Sequence, residues 1–435
     1  IGLHGDDALK EKLFDRLVSL DKDEILKGAQ FMTERTGGSD VSNINLEARF
    51  EDGQWRLYGE KWFCSCADGD VAMLLARPKG APEGNNGIAL FAMPRTLDNG
   101  KRNKYRIIRL KEKLGSRSMA SGEIVFDGAV AYALGEVGTG KNRGLKMMMD
   151  QVALSRLSHG ARAAAMMRRA LNEAMEVAHN RSAFEEIIIN KPLLRRQLMK
   201  IMLPTEQSLS MTMYLGQQIT KAEAGDERAE KVTRILTPAH KYRSCRDNIR
   251  VATGSMEVRG GNGYIEDFVN SKLVRDAHLG VLWEGTSNIN SLDITTRAVA
   301  KVNAHRDLED ELQDKLDKAD DMPGQYKGEM KNTVSMAIEL ADEVGKSNNQ
   351  TLARKASTAL YNAASATLLA TEGSKLGAAG GDARRLIMSR MVLDYRMRAQ
   401  DPLSVRAGNF EKASTDLLLD DAPVSLDKAT QVISL

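Results

Sequence analysis

Asn45-Leu46-Glu47-Ala48-Arg49-Phe50 and Trp55-Arg56-Leu57-Tyr58 are two β-prone runs on either side of Asp52-Gly53. An Asp-Gly break between such runs marks a turn between neighbouring strands. The texture repeats at residues 71–75, 88–93, 105–109 and 122–126, with breaks at Pro82-Glu83-Gly84-Asn85-Asn86-Gly87 and Asn99-Gly100. Short strands at this spacing predict an antiparallel sandwich or barrel over residues 28–137.

On either side the periodicity is helical. Residues 1–27, with Leu13, Leu17 and Ile25, read as short helical pieces, the remnant of a preceding helical domain. After Gly138-Thr139-Gly140 the spacing of Leu154, Leu157, Ala161 and Ala165 predicts a helix over 145–180. Further helices are predicted over 192–224, where Pro204 is expected to kink or break the segment, over 229–258 and over 288–302. These make a four-helix bundle in a domain spanning 138–302. A C-terminal helical extension, 303–435, follows, with helices predicted near 322–344, 351–371 and 383–399. The fold class is therefore α+β: a β middle domain, then a bundle, then more helices.

Composition excludes several classes. The chain has 435 residues, 42% of them hydrophobic, enough for two or three packed domains. A formal net charge of +3 is too small to argue for nucleic acid by itself. Three cysteines, Cys64, Cys66 and Cys245, cannot build a disulfide framework and point to a reducing compartment. No apolar run approaches the ~20 residues that span a bilayer, and no zinc-ligand spacing, P-loop or nucleophile elbow occurs. The chain opens on Ile1 rather than Met, so its true start is expected upstream.

Four stretches carry chemistry. Met32-Thr33-Glu34-Arg35-Thr36-Gly37-Gly38-Ser39-Asp40 can bring backbone N–H groups and a hydroxyl to an anion, or be a plain tight turn. Gly59-Glu60-Lys61-Trp62-Phe63-Cys64-Ser65 sets two rings and a hydroxyl on a half-buried strand, as core packing or as cover for a flat conjugated cofactor. Met256-Glu257-Val258-Arg259-Gly260-Gly261-Asn262-Gly263-Tyr264 is a glycine cluster at a helix end. Leu282-Trp283-Glu284-Gly285-Thr286-Ser287-Asn288 places one carboxylate before a helix-start signal; alone, such a glutamate is an ordinary solvated entry residue. A fifth feature, the arginine row with Arg384, Arg385 and Arg390, reads as a solvated amphipathic face or as a phosphate-binding surface for DNA.

The order of MTERTGGSDV, GEKWFCS, KLGSRSMASGEIVFDG, ALSRL, NRSAF, MEVRGGNGYIED, LVRDAH and LWEGTSNI, over residues 28–300, resembles the acyl-CoA dehydrogenase family of flavoproteins. The GGSDV form, the KWF-x-S strand, Ala165-Met166-Met167-Arg168-Arg169-Ala170 and the long C-terminal extension are most similar to the AidB-like branch, associated with the alkylation response. The resemblance implies FAD as cofactor, with Met32 and Thr33 facing the flavin, Ser39 its diphosphate, and Phe63 and Ser65 the ring. It implies that Arg181, Phe184, Glu257, Gly260 and Gly261 reach the FAD of a neighbouring subunit, and that Thr286 and Asn288 lie beside the cofactor. Glu284 takes the position of the catalytic base, and Arg156, Trp283 and Gly285 face the acyl-CoA. Some relatives carry their base where this chain has Ser155-Arg156, which leaves Glu284 without a rival.

The implied assembly is a homotetramer, a dimer of dimers sharing FAD sites. Electron-transfer flavoprotein or oxygen would be the acceptor, in the cytoplasm or alternatively in the mitochondrial matrix. Two departures stand out: Glu185 where a glycine is usual, and Glu257 where many relatives have glutamine. The rival readings are a DNA-associated flavoprotein with weak or no dehydrogenase activity, and a helical assembly module without an active flavin.

Overall fold

Asp52 and Gly53 have φ of 50° and 76°, the left-handed pair whose twist matches that of the strands in a two-residue hairpin. They join β2 (Glu47–Glu51) to β3 (Gln54–Ser65), with Glu51 opposite Gln54. The structure, a computed structural model, describes residues 1–138, 142–399, 401, 403 and 409–435. Of the predicted break after the β region, Thr139 and Gly140 lie outside the described residues. The chain divides into two compact units, Ile1–Leu154 and Ser155–Leu435.

In the first unit every predicted strand is present, as β2, β3, β4 (Val71–Pro78), β5 (Ala89–Pro94), β6 (Tyr105–Leu110) and β7 (Ser121–Leu134). One strand lay hidden in the sequence: β1 (Gly28–Phe31), four residues with no alternation. It runs parallel to β4, Gly28 opposite Val71 and Phe31 opposite Leu74, and it also bonds β3 through Gln30 and Ser65. Because β3 in turn pairs with β7, the sheet closes on itself as a barrel. Its filling includes Leu46, Leu57, Leu74, Phe91 and Ile124, each 0% exposed, and burying each such side chain contributes about 1.5–3 kcal/mol. The N-terminal piece is helical at residues 7–17 and sets Leu9 and Leu13 into a second core with Val71, Leu75 and Leu90.

The second unit is helical. The Gly144–Asn180 helix, which begins in the first unit, is followed by Pro192–Glu223, Glu227–Arg259, Val269–Gly280 and Ser287–Asp293. The break expected at Pro204 does not occur. Pro204 is buried inside a continuous helix, where the Thr205 hydroxyl donates to the Ile201 carbonyl at 2.7 Å and packing outweighs the lost backbone bond. The Val269–Gly280 helix was not predicted. Beyond it, Gly324–Ser347, Ala353–Ala378 and Arg384–Val392 match expectation, while Ala304–Asp317, Asn409–Leu418 and Leu426–Ile433 are additional. Leu198, Leu215 and Leu236 share one core with Leu308, Leu360, Leu369 and Ile387. The expected division at residue 302 therefore has no separate core on either side of it.

Candidate active site

The turn between the Val269–Gly280 and Ser287–Asp293 helices is left-handed at two successive residues, with φ of 51° at Glu284 and 89° at Gly285. For a glutamate that conformation costs about 1–2 kcal/mol, so the surroundings must impose it. They do so through the carbonyls. Arg156 Nε donates to the Glu284 oxygen at 3.1 Å, and Lys241 Nζ and Asn290 Nδ2 donate to the Gly285 oxygen at 2.5 and 2.7 Å. Thr286 caps the following helix by accepting from the Ile289 N–H. Among the described residues nothing accepts from the Glu284 or Gly285 N–H, which leaves both donors available to a ligand.

Arg156 is itself fixed. It is 6% exposed, and its Nη1 lies 2.8 Å from Asp293 Oδ2, while Arg234 holds Asp293 Oδ1 at 2.8 Å. Burial alone would raise the Asp293 carboxyl, but Arg234 and Arg156 outweigh it and keep the group below the usual carboxylate range. Glu284 behaves in the opposite way: burial raises its proton affinity above the ordinary value, and the Ser155 hydroxyl, Arg156 and Lys241 offset this only in part. Trp283 stands against His159, ring centroids 5.3 Å apart, and burial pushes that imidazole down to about 4, so it is neutral at pH 7.

The other predicted residues fall into two further groups. In the first unit, the Trp62 N–H donates to the Thr33 carbonyl at 2.8 Å, joining the turn motif to β3. Met32 and Thr33 are half-buried and Ser39 is exposed. Phe63 is 52% exposed, an unusual share for a barrel phenylalanine, and Ser65 lies two positions along the same strand face. In the second unit, a pocket of about 550 Å³ is lined by Arg181, Gly261, Asn180, Arg259 and Asn262. A side chain at position 260 would come within 3.3 Å of Arg181 Nη1, so Gly260 leaves room for that guanidinium. Phe184 and Glu185 form the turn of a small hairpin with φ of 53° and 65°, Phe184 being 89% exposed; the positive φ explains why glycine suits position 185. Glu257 faces a different cleft, of about 820 Å³, where Gln197 donates to its carboxylate at 2.9 Å.

The arginine row is not a solvated face. Arg385 pairs with Glu206 and Glu372, Arg390 with Glu329 and Asp394, and Arg384 with Asp382. Their charge is met within the chain, so the geometry offers no support for a phosphate-binding surface there. Sequence reading also missed Ser155, His159, Arg234, Lys241 and Asp293. A signal existed for two of them: Arg234 and Lys241 stand seven residues apart, two turns along one face of the Glu227–Arg259 helix.

The family model of the acyl-CoA dehydrogenase middle domain matches residues 29–129, and that of the C-terminal domain matches residues 142–299. The chain belongs to the acyl-CoA dehydrogenase family. AidB of Escherichia coli (strain K12) is 37% identical over 268 residues, covering 60% of this chain and 47% of that protein, in keeping with an AidB-like branch. Acyl-CoA dehydrogenase family member 11 of Caenorhabditis elegans is 31% identical over 302 residues, covering 68% and 48%. A crystal structure of Caenorhabditis elegans ACDH-11 in complex with C11-CoA superposes with a TM-score of 0.82 at 26% identity, over 97% of this chain and 73% of the other. The chain thus spans about half the length of the curated relatives it matches. Proteins of the acyl-CoA dehydrogenase family are FAD-dependent oxidoreductases acting on CH–CH groups.

The residues present suit that cofactor. An exposed Phe63 ring beside the Ser65 hydroxyl can cover a flat conjugated system, and the pocket of Arg181 beside the Gly260-Gly261 backbone can take a diphosphate or adenosine portion.

Proposed function

We propose that the protein is an FAD-dependent acyl-CoA dehydrogenase in which Glu284 removes the proton alpha to the thioester carbonyl. The observation that carries this reading is the state of Glu284: half-buried, raised in proton affinity, and fixed by Arg156 on a strained turn. Such a carboxylate is a stronger base than a solvated one. The unpartnered N–H of Glu284 can donate to the thioester oxygen, where negative charge develops as the proton leaves. Trp283 and the neutral His159 form an apolar wall that keeps water from the carboxylate, and Gly285 leaves space beside it.

Met32, Thr33, Ser39, Phe63, Ser65, Thr286 and Asn288 are the candidate FAD contacts of one subunit. Arg181, Phe184, Glu257, Gly260 and Gly261 are those offered to a neighbour's cofactor, which makes a homotetramer part of the proposal. FAD, when bound, supplies the acceptor for the hydride that leaves the beta carbon. Electron-transfer flavoprotein or oxygen is the proposed final acceptor.

Anaerobic addition of acyl-CoAs of graded length to the flavin-loaded protein tests the proposal. Bleaching of the oxidised flavin band is expected with at least one, and is expected to vanish in Glu284→Gln. A stoichiometric flavin unaffected by every acyl-CoA would overturn the substrate assignment.

A further inference from the structure

Lys241 stands in the middle of the Glu227–Arg259 helix, 1% exposed. A buried ammonium is costly unless a counter-charge or a set of acceptors meets it, yet among the described residues no carboxylate forms an ion pair with it. Its donated bond, 2.5 Å long, goes to the Gly285 carbonyl. The groups that face it come from three elements. Arg156 and His159 on the Gly144–Asn180 helix supply one positive charge and one neutral ring; Cys245, one turn along its own helix, is a thiol that burial pushes up to about 11; Glu284 comes from the turn. Of these only Glu284 is a carboxyl group. Among the described residues, a lysine has thus been buried next to an arginine with the proposed base as the one nearby carboxyl group.

We propose that Lys241 is a positioning residue for Glu284, its ammonium both pinning the Gly285 peptide in the left-handed turn and favouring the ionised carboxylate. The inference rests on the reading of Glu284 as base. Two elements separate its two roles. Asn290 Nδ2 also donates to the Gly285 oxygen, at 2.7 Å, so the turn keeps one anchor when the lysine is removed. The charge is only partly duplicated: Arg156 also favours the ionised Glu284, but it is shared with Asp293 through its Nη1, so removing the lysine leaves the carboxylate with one cation fewer. Burial pulls the Lys241 ammonium down to about 8, which places the loss of its charge within reach of ordinary assay conditions.

The test uses Lys241→Met, which removes donor and charge, and Lys241→Gln, which keeps a donor without the charge. The readout is the carboxyl titration of Glu284 in protein labelled with 13C at the glutamate carboxyl, its resonance assigned by its loss in Glu284→Gln. Both variants are expected to titrate higher than the unmodified protein, by about one pH unit. The acid limb of kcat/KM should move with the titration, and only Lys241→Met should also lose kcat on the plateau. An unchanged Glu284 titration in both folded variants would overturn the proposal. Should neither variant fold, the unmodified protein decides: the Glu284 resonance is expected to show a second inflection near pH 8 as Lys241 deprotonates, and its absence would overturn the proposal. If instead Glu284→Gln oxidised acyl-CoA as well as the unmodified protein, the base assignment would fail while the NMR titration still judged Lys241.

Discussion

The Lys61 ammonium meets the Glu34 carboxylate at 2.7 Å, with side chains 0% and 4% exposed. One residue belongs to the turn motif and the other to the β3 motif, so a buried ion pair ties together the two stretches proposed to hold the flavin ring. Glu34 also accepts from the backbone of Asn45 and Leu46, and Lys61 donates to the Met32 carbonyl at 3.1 Å. Removing one partner leaves an uncompensated buried charge. Lys61→Met is expected to cost about 3–5 kcal/mol in urea unfolding and to weaken flavin retention. A Glu34→Gln/Lys61→Met pair should recover a large share of the loss, because the two sites are coupled.

Glu284→Gln is expected to lower turnover by about a thousandfold or more while flavin binding persists. The pH dependence has a definite sign. The folded-state proton affinity of Glu284 lies above its ordinary value, so its stabilising contribution is complete below the unfolded-state pKa and is lost as pH rises through the folded one. The Gln variant should therefore gain stability over the unmodified protein at pH 7 but not at pH 4. Paired thermal melts at the two pH values read the difference.

Gly160 sits under His240. A methyl group at position 160 would come 2.3 Å from the imidazole Cδ2, and the ring cannot retreat, since Ser244 and Thr212 hold its two nitrogens at 2.9 and 3.0 Å. Gly160→Ala is expected to destabilise by about 1–3 kcal/mol through overpacking, despite the better helix propensity of alanine. Chemical denaturation is the measurement.

His240 and His159 are both held neutral by burial, pulled down to about 3 and about 4. For bases depressed in this way the stabilising contribution is present above the unfolded value of about 6.5 and is lost as pH falls toward the folded ones. Unfolding midpoints should decline below pH 6.5, and nitrogen-detected imidazole spectra at pH 5.5 should show both rings neutral.

Arg385→Ala leaves Glu206, 8% exposed, with Arg168 as its one ionic partner among the described residues. A loss of about 1–3 kcal/mol is expected from the underpaired carboxylate, read by urea unfolding. A surface role for Arg385 would predict no such loss.

How much of this was legible in the sequence varies with distance along the chain. The barrel was: Asp52-Gly53 and the alternating runs act over a few residues, where turn chemistry and strand patterning are local. The Ala304–Asp317 helix was equally legible, with Ala304, Leu308, Leu312 and Leu316 as its buried stripe, although it was not predicted at the start of the expected 303–435 extension. β1 was not legible, because four residues define a strand only through the parallel partner that completes the ladder. Pro204 misled because propensity is local and the core that overrides it is not.

The sequence by itself determined the family, through the order of its motifs, and singled out Glu284 as a residue standing before a helix. It could not say whether that carboxylate was idle or poised, since either reading fits the same heptapeptide. Only the tertiary structure sets the surroundings of that carboxylate, bringing Ser155, Arg156, Lys241 and Asp293, from far along the chain, around one left-handed turn. Proton affinity depends on desolvation and on charges a few ångströms away, and neither quantity is written in the residues adjacent to Glu284.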